Sequence, residues 1–507
     1  MWTKATILRA TVVVSGALAV ACGGEAPPVE PAEPATEAAS GTIPITTRSD
    51  EAYDLYLEGR DLAEHIRPAE ARQRYLAALE LDRHFALAHL ALANSAVSTR
   101  EFFESMERAL ALADVVSEGE RLMILAVDAG VRGEPDEQLR HLHRLVELYP
   151  EDPRALAALA GVYFGRQEFA EAVEYYERAV ERAPDYSPPY NLLGYAYRSL
   201  GRYEEAEDAF LRYIELVPGE PNPYDSYAEL LMKVGRFEES IAAYEKALEI
   251  KPDFLFSLRG IGHNLVFLGR FDEAREVFER QLELAPDVGQ RRGALFWLAT
   301  AHIHQDEPAA ALEVLTRMSA LADADGDRAA VAGDLVTMGN VLLEAGDPEA
   351  AEERFVEAVQ LMGDADVPEE VKENTRRNFL YWKARIETER GRYADAERHL
   401  AAYREQVARR QIPFEERRVH ELAGAIALGR GDVRTAIEEL AAANQQNPRV
   451  LYLSARAHLA ADDLARATEL AERAANFNGF GLNYAFVRRP AQQLLAELRA
   501  QGAAATT

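Results

Sequence analysis

Apolar residues recur at intervals of three and four along most of the chain, which is the spacing of one face of an α-helix. In the segment 201–218 the apolar positions that keep this spacing are Tyr203, Ala206, Phe210, Tyr213 and Ile214. Charged residues fill most of the positions between them. The pattern predicts amphipathic helices, each with one buried stripe, and therefore an all-α protein.

The pattern also repeats every 34 residues. Proline recurs at this interval, at Pro150, Pro184, Pro218, Pro252 and Pro286. A small residue and an aromatic residue keep the same phase, as Ala172, Ala206, Ser240 and Ala274 and as Tyr176, Phe210, Tyr244 and Phe278. Such a period is typical of stacked two-helix units, in which the small residue lets paired helices approach and the aromatic ring fills the space between neighbouring units. We expect Gly201 to end a first helix in the left-handed conformation and Pro218 to stop the second.

At these positions the chain resembles the tetratricopeptide repeat family, whose unit is two antiparallel helices. The resemblance implies a right-handed superhelical α-solenoid of about eleven helix-turn-helix repeats. Residues 48–150 are expected to hold degenerate repeats and residues 151–286 the regular ones. Longer repeats are expected over 287–487, and residues 488–507 are expected to form a capping helix and tail, because an uncapped array would expose its apolar face.

The N-terminus carries a different signal. Residues 1–21 combine two basic residues, Lys4 and Arg9, with a short apolar stretch, which is typical of a removable secretion signal. Residues 18–22, LAVAC, resemble a bacterial lipobox, and this implies cleavage before Cys22 and lipid attachment to its thiol. Cys22 is the only cysteine of the chain. The alternative is an ordinary signal cleavage site followed by a chance cysteine.

Residues 22–47 join the lipidated cysteine to the helical body. They are rich in proline, alanine and glutamate and have no apolar period, so we expect a disordered linker. Gly23 stands where an aspartate favours inner-membrane retention in the best-known sorting rule. By that resemblance, the expected location is the periplasmic face of the outer membrane.

Composition excludes several kinds of function. The chain has 56 Lys and Arg against 85 Asp and Glu, and this acidic excess disfavours nucleic acid as a partner. One cysteine forms neither an intramolecular disulfide nor a multi-cysteine metal centre. The pairs His141–His143 and His302–His304 place their imidazoles on different helix faces, so neither predicts a metal site. We find no catalytic motif and predict neither catalytic residues nor a metal or cofactor.

Function is therefore expected to come from the concave groove, which the first helix of each repeat lines. The repeat phase places seven residues there: Asn191, Tyr195, Arg198, Asp225, Glu229, Arg259 and His263. The asparagine and the arginines resemble the carboxylate clamp of some family members, but the two acidic residues would oppose a carboxylate ligand. Tyr195 and His263 are the strongest candidates for partner contact. The alternative is an ordinary solvated surface.

Three functions fit these observations. The leading hypothesis is a non-catalytic, lipid-anchored periplasmic scaffold that binds proteins or peptide segments in its groove. The second is a structural subunit of an envelope assembly or export machine. The third rests on residues 45–62, which resemble repeat modules found beside bacterial signalling kinases and cyclases, and implies a regulatory module whose enzyme is supplied by another chain.

Overall fold

The computed structural model describes residues 41–65, 67–96, 99–410 and 412–505. The predicted secretion signal, Cys22 and most of the expected linker lie outside the described residues. Within them the chain forms α-helices and a short 3₁₀-helix at Ala113–Val115, and no β-strand. Among these helices, none is both long enough and apolar enough to cross a membrane.

The helices form two compact units, and the first unit ends at Leu230. Its helices pack as consecutive pairs, and each pair also packs on the next one. The pairs are α1 (Asp50–Glu64) with α2 (Pro68–Leu81), α3 (Ala86–Asn94) with α4 (Thr99–Leu112), α5 (Glu118–Val131) with α6 (Pro135–Leu148), α7 (Pro153–Gly165) with α8 (Phe169–Arg182), and α9 (Ser187–Leu200) with α10 (Tyr203–Leu216). The division falls inside α11 (Pro221–Lys233).

The second unit begins with α12 (Phe237–Ile250). Its later pairs are α13 (Leu255–Phe267) with α14 (Phe271–Leu284), α15 (Val288–His304) with α16 (Pro308–Ala324), α17 (Arg328–Glu344) with α18 (Pro348–Asp364), α19 (Glu369–Glu389) with α20 (Tyr393–Ala408), α21 (Pro413–Arg430) with α22 (Val433–Ala442), and α23 (Pro448–Ala460) with α24 (Leu464–Ala475). A last helix, α25 (Leu482–Ala505), packs on α24. If α11 is counted with α12, the described residues hold twelve pairs, against about eleven expected repeats. The prediction of an all-α fold built from consecutive helix pairs is confirmed.

Proline and glycine end the helices where the period predicts. Helices α8, α10, α12 and α14 each end two residues before a proline of the 34-residue series. Gly201 follows α9 with φ of 78°, in the left-handed region that glycine adopts at low cost. Backbone geometry local to each turn therefore sets the length of the regular helices.

The repeated small and aromatic side chains form the core of the pairs. The members Ala172, Tyr176, Ala206, Phe210, Tyr244, Ala274 and Phe278 are each at most 2% exposed. The ring of Phe210 lies against Gly194, where an added Cβ would be 2.7 Å from its Cε1. The aromatic side chain thus packs on the first helix of its own pair as well as between neighbouring pairs.

The later repeats depart from the expected regularity in two places. Helices α15 to α21 have 16 to 21 residues, but α22, α23 and α24 have 10, 13 and 12, so the lengthening ends at α21. The final helix begins at Leu482 and not at the expected Arg488. The earlier start follows from packing, because Tyr484 and Val487 are buried and the Tyr484 hydroxyl donates a hydrogen bond to the carbonyl of Ala475 at 2.7 Å.

The end of the expected linker belongs to the first unit. The amide of Ile43 donates to Oδ2 of Asp152 at 2.9 Å. The amide and hydroxyl of Thr46 donate to the two carboxylate oxygens of Glu120, at 2.9 and 2.5 Å. Thr46 is 5% exposed and Glu120 is fully buried. The linker prediction therefore extends too far at its C-terminal end, because buried carboxylates of α5 and the α7 N-cap supply acceptors for this segment.

Candidate protein-interaction surfaces

Five of the seven expected groove residues lie in the first unit, on α9 and α11. Tyr195 follows Asn191 by one helical turn and precedes Arg198 by nearly one, so the three side chains share one face of α9. On α11, Glu229 follows Asp225 by one helical turn, so these two side chains also share one face. The structure brings the α9 and α11 residues into direct contact.

Tyr195 is the centre of this group. Its hydroxyl oxygen lies 3.0 Å from Oε2 of Glu229 and 3.1 Å from Oγ of Ser226. Its ring packs edge-on against Phe210 with centroids 5.2 Å apart, and the guanidinium of Arg198 lies 4.7 Å from its centroid. A half-buried tyrosine whose hydroxyl is hydrogen-bonded and whose ring contacts Phe210 and Arg198 is pre-organised for contact with a partner. We call Asn191, Tyr195, Arg198 and Glu229 the tyrosine cluster.

The charges of the tyrosine cluster are largely paired within it. An Nη of Arg198 lies 3.4 Å from Oε2 of Glu229, and the two side chains are 22% and 19% exposed. Arg198 therefore already has a carboxylate partner and is a poor clamp for a second carboxylate. Asp225 is 1% exposed, so it does not line an accessible surface as the repeat phase suggested.

The other two expected residues, Arg259 and His263, lie on α13 in the second unit. The Arg259 guanidinium lies 5.2 Å from the ring centroid of Phe256 and 5.8 Å from that of Trp297. His263 is only 6% exposed, and the ring of Phe480 stacks on it with centroids 3.7 Å apart and planes 16° from parallel. The prediction of an open groove histidine is therefore wrong, because the segment between α24 and α25 covers it.

Phe480 enters a set of aromatic side chains from α13 and α15, which we call the aromatic pocket: His263, Phe267, Trp297 and His304. Its ring also stacks on His304, at 5.2 Å between centroids and 25° between planes, and lies 5.7 Å from the rings of Trp297 and Phe267. Trp297, His304 and Phe480 were not expected to act together. A signal was present in the segment 478–481, where glycines flank a phenylalanine outside the repeat period.

The imidazoles of the aromatic pocket are held neutral. Burial lowers the pKa of His263 well below its usual value, with further contributions from Arg259 and His304. Burial and the Arg488 guanidinium lower the pKa of His304 to about 3. The Nε2 atom of each ring is buried without a hydrogen-bond partner within the described residues. The pocket therefore presents aromatic faces and two unsatisfied nitrogen atoms.

A charged cluster lies on first helices later in the second unit. Glu344 of α17 accepts hydrogen bonds from Arg385 of α19 and Arg449 of α23. Burial acts to raise the pKa of Glu344, but the two guanidinium groups outweigh it and hold the pKa below its usual value. Sequence spacing gave no reason to join these three residues. In the described part of the chain, no group of three or more His, Cys, Asp or Glu side chains is arranged to hold a metal ion.

Comparison with known families identifies the repeat. Family models described as tetratricopeptide repeat match residues 138–218, 222–254, 259–325 and 336–410, which together cover just over half of the chain. The chain belongs to the tetratricopeptide repeat family. Tetratricopeptide repeats support protein interaction, so membership of the family makes this protein a protein-interaction scaffold.

Solved structures of tetratricopeptide repeat proteins are similar to parts of this chain. MamA is 25% identical with a TM-score of 0.30, covering 32% of this chain and 94% of its own. A tetratricopeptide repeat protein from Parabacteroides merdae is 16% identical with a TM-score of 0.40. The similarity covers 51% of this chain and 97% of that protein's chain. YrrB, described as having an unusual peptide-binding site, is 19% identical with a TM-score of 0.28. The similarity covers 36% of this chain and 91% of the YrrB chain. No curated protein matches the chain significantly.

Proposed function

We propose that this protein is a non-catalytic, lipid-anchored scaffold of the bacterial cell envelope, which binds protein segments at the tyrosine cluster of its tetratricopeptide repeats. The observation that carries the proposal is the fixed ring of Tyr195. A rigid ring loses little conformational entropy when it contacts a partner, and tyrosine and arginine are enriched among residues that contribute most to protein binding. Arg198 stacks beside the ring and Asn191 offers an amide one turn away.

The pairing of Arg198 with Glu229 decides which partner segment fits. Because the charges at the centre are balanced, a segment that contributes polar and aromatic contacts is favoured over one that ends in a free carboxylate. Some of its hydrogen bonds can use Asn191, whose side chain is half-buried. The proposed partner is therefore an internal segment of another protein rather than a C-terminal carboxylate.

Membrane attachment rests on the N-terminal sequence. A single acyl chain gives marginal membrane binding and several give stable binding, so triacylation of Cys22 would hold the protein at the membrane. The proposed location is the periplasmic face of the outer membrane, supported by Gly23 after the lipid-accepting cysteine. Cys22→Ala should abolish labelling by a fatty-acid analogue and move the protein to the soluble fraction. Persistence of membrane fractionation in Cys22→Ala would contradict the lipid anchor.

Partner binding is tested by crosslinking and affinity purification from native membranes. Tyr195→Ala should reduce recovery of the specific partner at least about tenfold, the effect of losing an interaction worth roughly 1.4 kcal/mol. Tyr203→Ala is the matched control, because Tyr203 is an exposed tyrosine on α10. The same partner recovered at the same level from both variants would contradict binding at the tyrosine cluster. Saturable turnover of a nucleotide, peptide or glycan by the purified chain would contradict the non-catalytic assignment.

A further inference from the structure

The segment between α24 and α25 packs on first helices of the second unit, against His263 of α13 and His304 of α15. Residues 477–480 have no regular secondary structure, and Asn478 adopts φ of 48°. Glycines at 479 and 481 flank Phe480, so the residues next to it in sequence have no side chain that would obstruct its ring. This non-helical segment brings the phenyl ring between the imidazoles of His263 and His304.

Polar contacts from Lys233 and Tyr484 hold this segment in place, and the hydroxyl of Tyr484 accepts hydrogen bonds from the backbone of Phe477 and Asn478. The Lys233 ammonium donates to the carbonyl of Phe477 at 2.9 Å and lies 4.4 Å from the centroid of its ring. The amide nitrogen of the Asn478 side chain donates to the carbonyl of Lys233 at 3.5 Å. Phe480 itself remains half-buried. A short, non-helical segment whose phenyl ring is only half-buried is a candidate for local opening while the helices beneath it stay folded.

The aromatic pocket has recognition groups that Phe480 does not use. The Nε2 atoms of His263 and His304 are buried and unpaired within the described residues. A phenyl ring offers no hydrogen-bonding group to satisfy them, and an unsatisfied buried polar atom costs free energy. A partner segment that places a polar group against one of them gains an interaction that the chain's own segment lacks.

The rim of the aromatic pocket is cationic in an otherwise acidic protein. Arg259 contacts Trp297 and Phe256 by its guanidinium, and Arg488 lies 4.2 Å from the centroid of Phe267. One Nη of Arg488 donates to the carbonyl of Phe267 at 3.3 Å, and the other is buried without a hydrogen-bond partner within the described residues. A carboxylate beside the incoming aromatic residue would compensate this charge.

We propose that the aromatic pocket binds a partner segment in which a phenylalanine or tyrosine lies between small residues and an acidic residue stands two positions before it, and that Phe480 closes this site within the free chain. The proposal rests on the scaffold function and gives the second unit a partner of defined chemistry. Binding requires Phe480 to leave, so affinity for the partner is reduced by the fraction of chains in which the pocket is closed.

The test uses the purified full-length chain and a fluorescently labelled peptide copied from residues 476–483, NFNGFGLN, with aspartate in place of the asparagine at position 478. Fluorescence anisotropy should show saturable binding to Phe480→Ala at least about tenfold tighter than to the wild type. Replacing the central phenylalanine of the peptide by alanine should weaken binding at least about tenfold. Restoring asparagine at position 478 should weaken it several-fold, and this difference should vanish in high salt.

Two further variants serve as a control and as a second way to open the pocket. Phe414→Ala removes an exposed phenyl ring of α21 and should bind the peptide as the wild type does. Lys233→Ala loosens the segment and leaves the pocket intact, so it should bind more tightly than the wild type. If Phe480→Ala loses its helical circular dichroism, Lys233→Ala decides the test.

Equal or undetectable binding to the wild type and to a folded pocket-opening variant would overturn the proposal. A concentration-dependent dimer that the peptide converts to monomer would also overturn it, because the occupant would then be a second copy of this chain. Either result leaves Tyr195-dependent partner capture untouched, so failure of the pocket is distinguishable from failure of the scaffold function.

Discussion

Gly339 of α17 lies directly against the ring of Phe355 in α18: a Cβ at position 339 would be 2.8 Å from Cε1 of Phe355 and 2.9 Å from Cζ. Phe355 is fully buried and stacks on Trp382 of α19 with centroids 4.8 Å apart. The stacked tryptophan leaves the ring of Phe355 little room to move away. The glycine therefore sets the distance between the paired helices.

A matched pair of substitutions in α17 tests this packing. Gly339→Ala should destabilise the protein by about 1–3 kcal/mol, the usual cost of overpacking a core. Gly333→Ala, in the same helix, meets no atom within 4 Å and should be neutral or stabilising by up to about 1 kcal/mol, since alanine is the better helix former. Urea unfolding followed by circular dichroism measures both. Equal midpoints for the two variants would refute the close approach.

The linker-to-helix contact should be sensitive to the carboxylate of Glu120. Glu120→Gln places an amide N–H₂ group where the acid accepts from Thr46 and from the amide of Ser117 at 2.9 Å, and an unsatisfied buried group costs about 1–3 kcal/mol. Glu118→Gln, at an exposed position of α5, is the control. Limited proteolysis should cleave near residues 43–47 faster in Glu120→Gln. Identical cleavage rates in the two variants would show that Glu120 does not hold this segment.

The ion cluster at Glu344 should contribute to the stability of the second unit. Glu344→Gln leaves Arg385 and Arg449 without their carboxylate and should cost about 2–3 kcal/mol, less than the 3–5 kcal/mol of a fully buried pair because the side chains are partly exposed. Glu349→Gln, at an exposed position, should have little effect. The pKa of Glu344 is lower in the fold than in the unfolded chain, so its contribution is present above pH 4.5 and lost as the pH falls through the folded pKa. A loss of the same size in both variants would contradict this role.

Stability should also fall on mild acidification because of the aromatic pocket. The pKa of His304 is about 3 in the fold against 6.5 for a free side chain, so the unfolded chain binds a proton first as the pH falls below 6.5. This histidine should remove about 1–2 kcal/mol of stability between pH 7 and pH 5. His304→Gln should reduce the dependence, and His65→Gln, at an exposed position, should not. An unchanged dependence in His304→Gln would contradict burial of a neutral imidazole.

Local sequence signals were sufficient to predict the regular repeats. Prolines and glycines such as Pro218 and Gly201 act on the backbone within a few residues, so the period alone places α8 to α14. The same phase placed Asp225 in the groove, but the exposure of one side chain depends on how neighbouring helices are rotated, and Asp225 is buried.

Contacts between distant parts of a unit could not be predicted in this way. His263 and Phe480 are far apart in sequence, and neither local pattern specifies the other residue. Glu344 and Arg449 are similarly separated, and each belongs to a helix that would be amphipathic without the other. The neutral imidazoles of the aromatic pocket and their contact with Phe480 are therefore seen only in the structure.

In the proposed function, a partner segment lies on the face of α9 that carries Tyr195. The most direct measurement is site-specific photocrosslinking in native membranes, with a photoreactive residue at Asn191 and, as control, at the exposed Glu204 of α10. We expect position 191 to crosslink one partner protein through a single internal segment and position 204 not to crosslink it. Crosslinks to the same partner from position 204 and none from position 191 would contradict it.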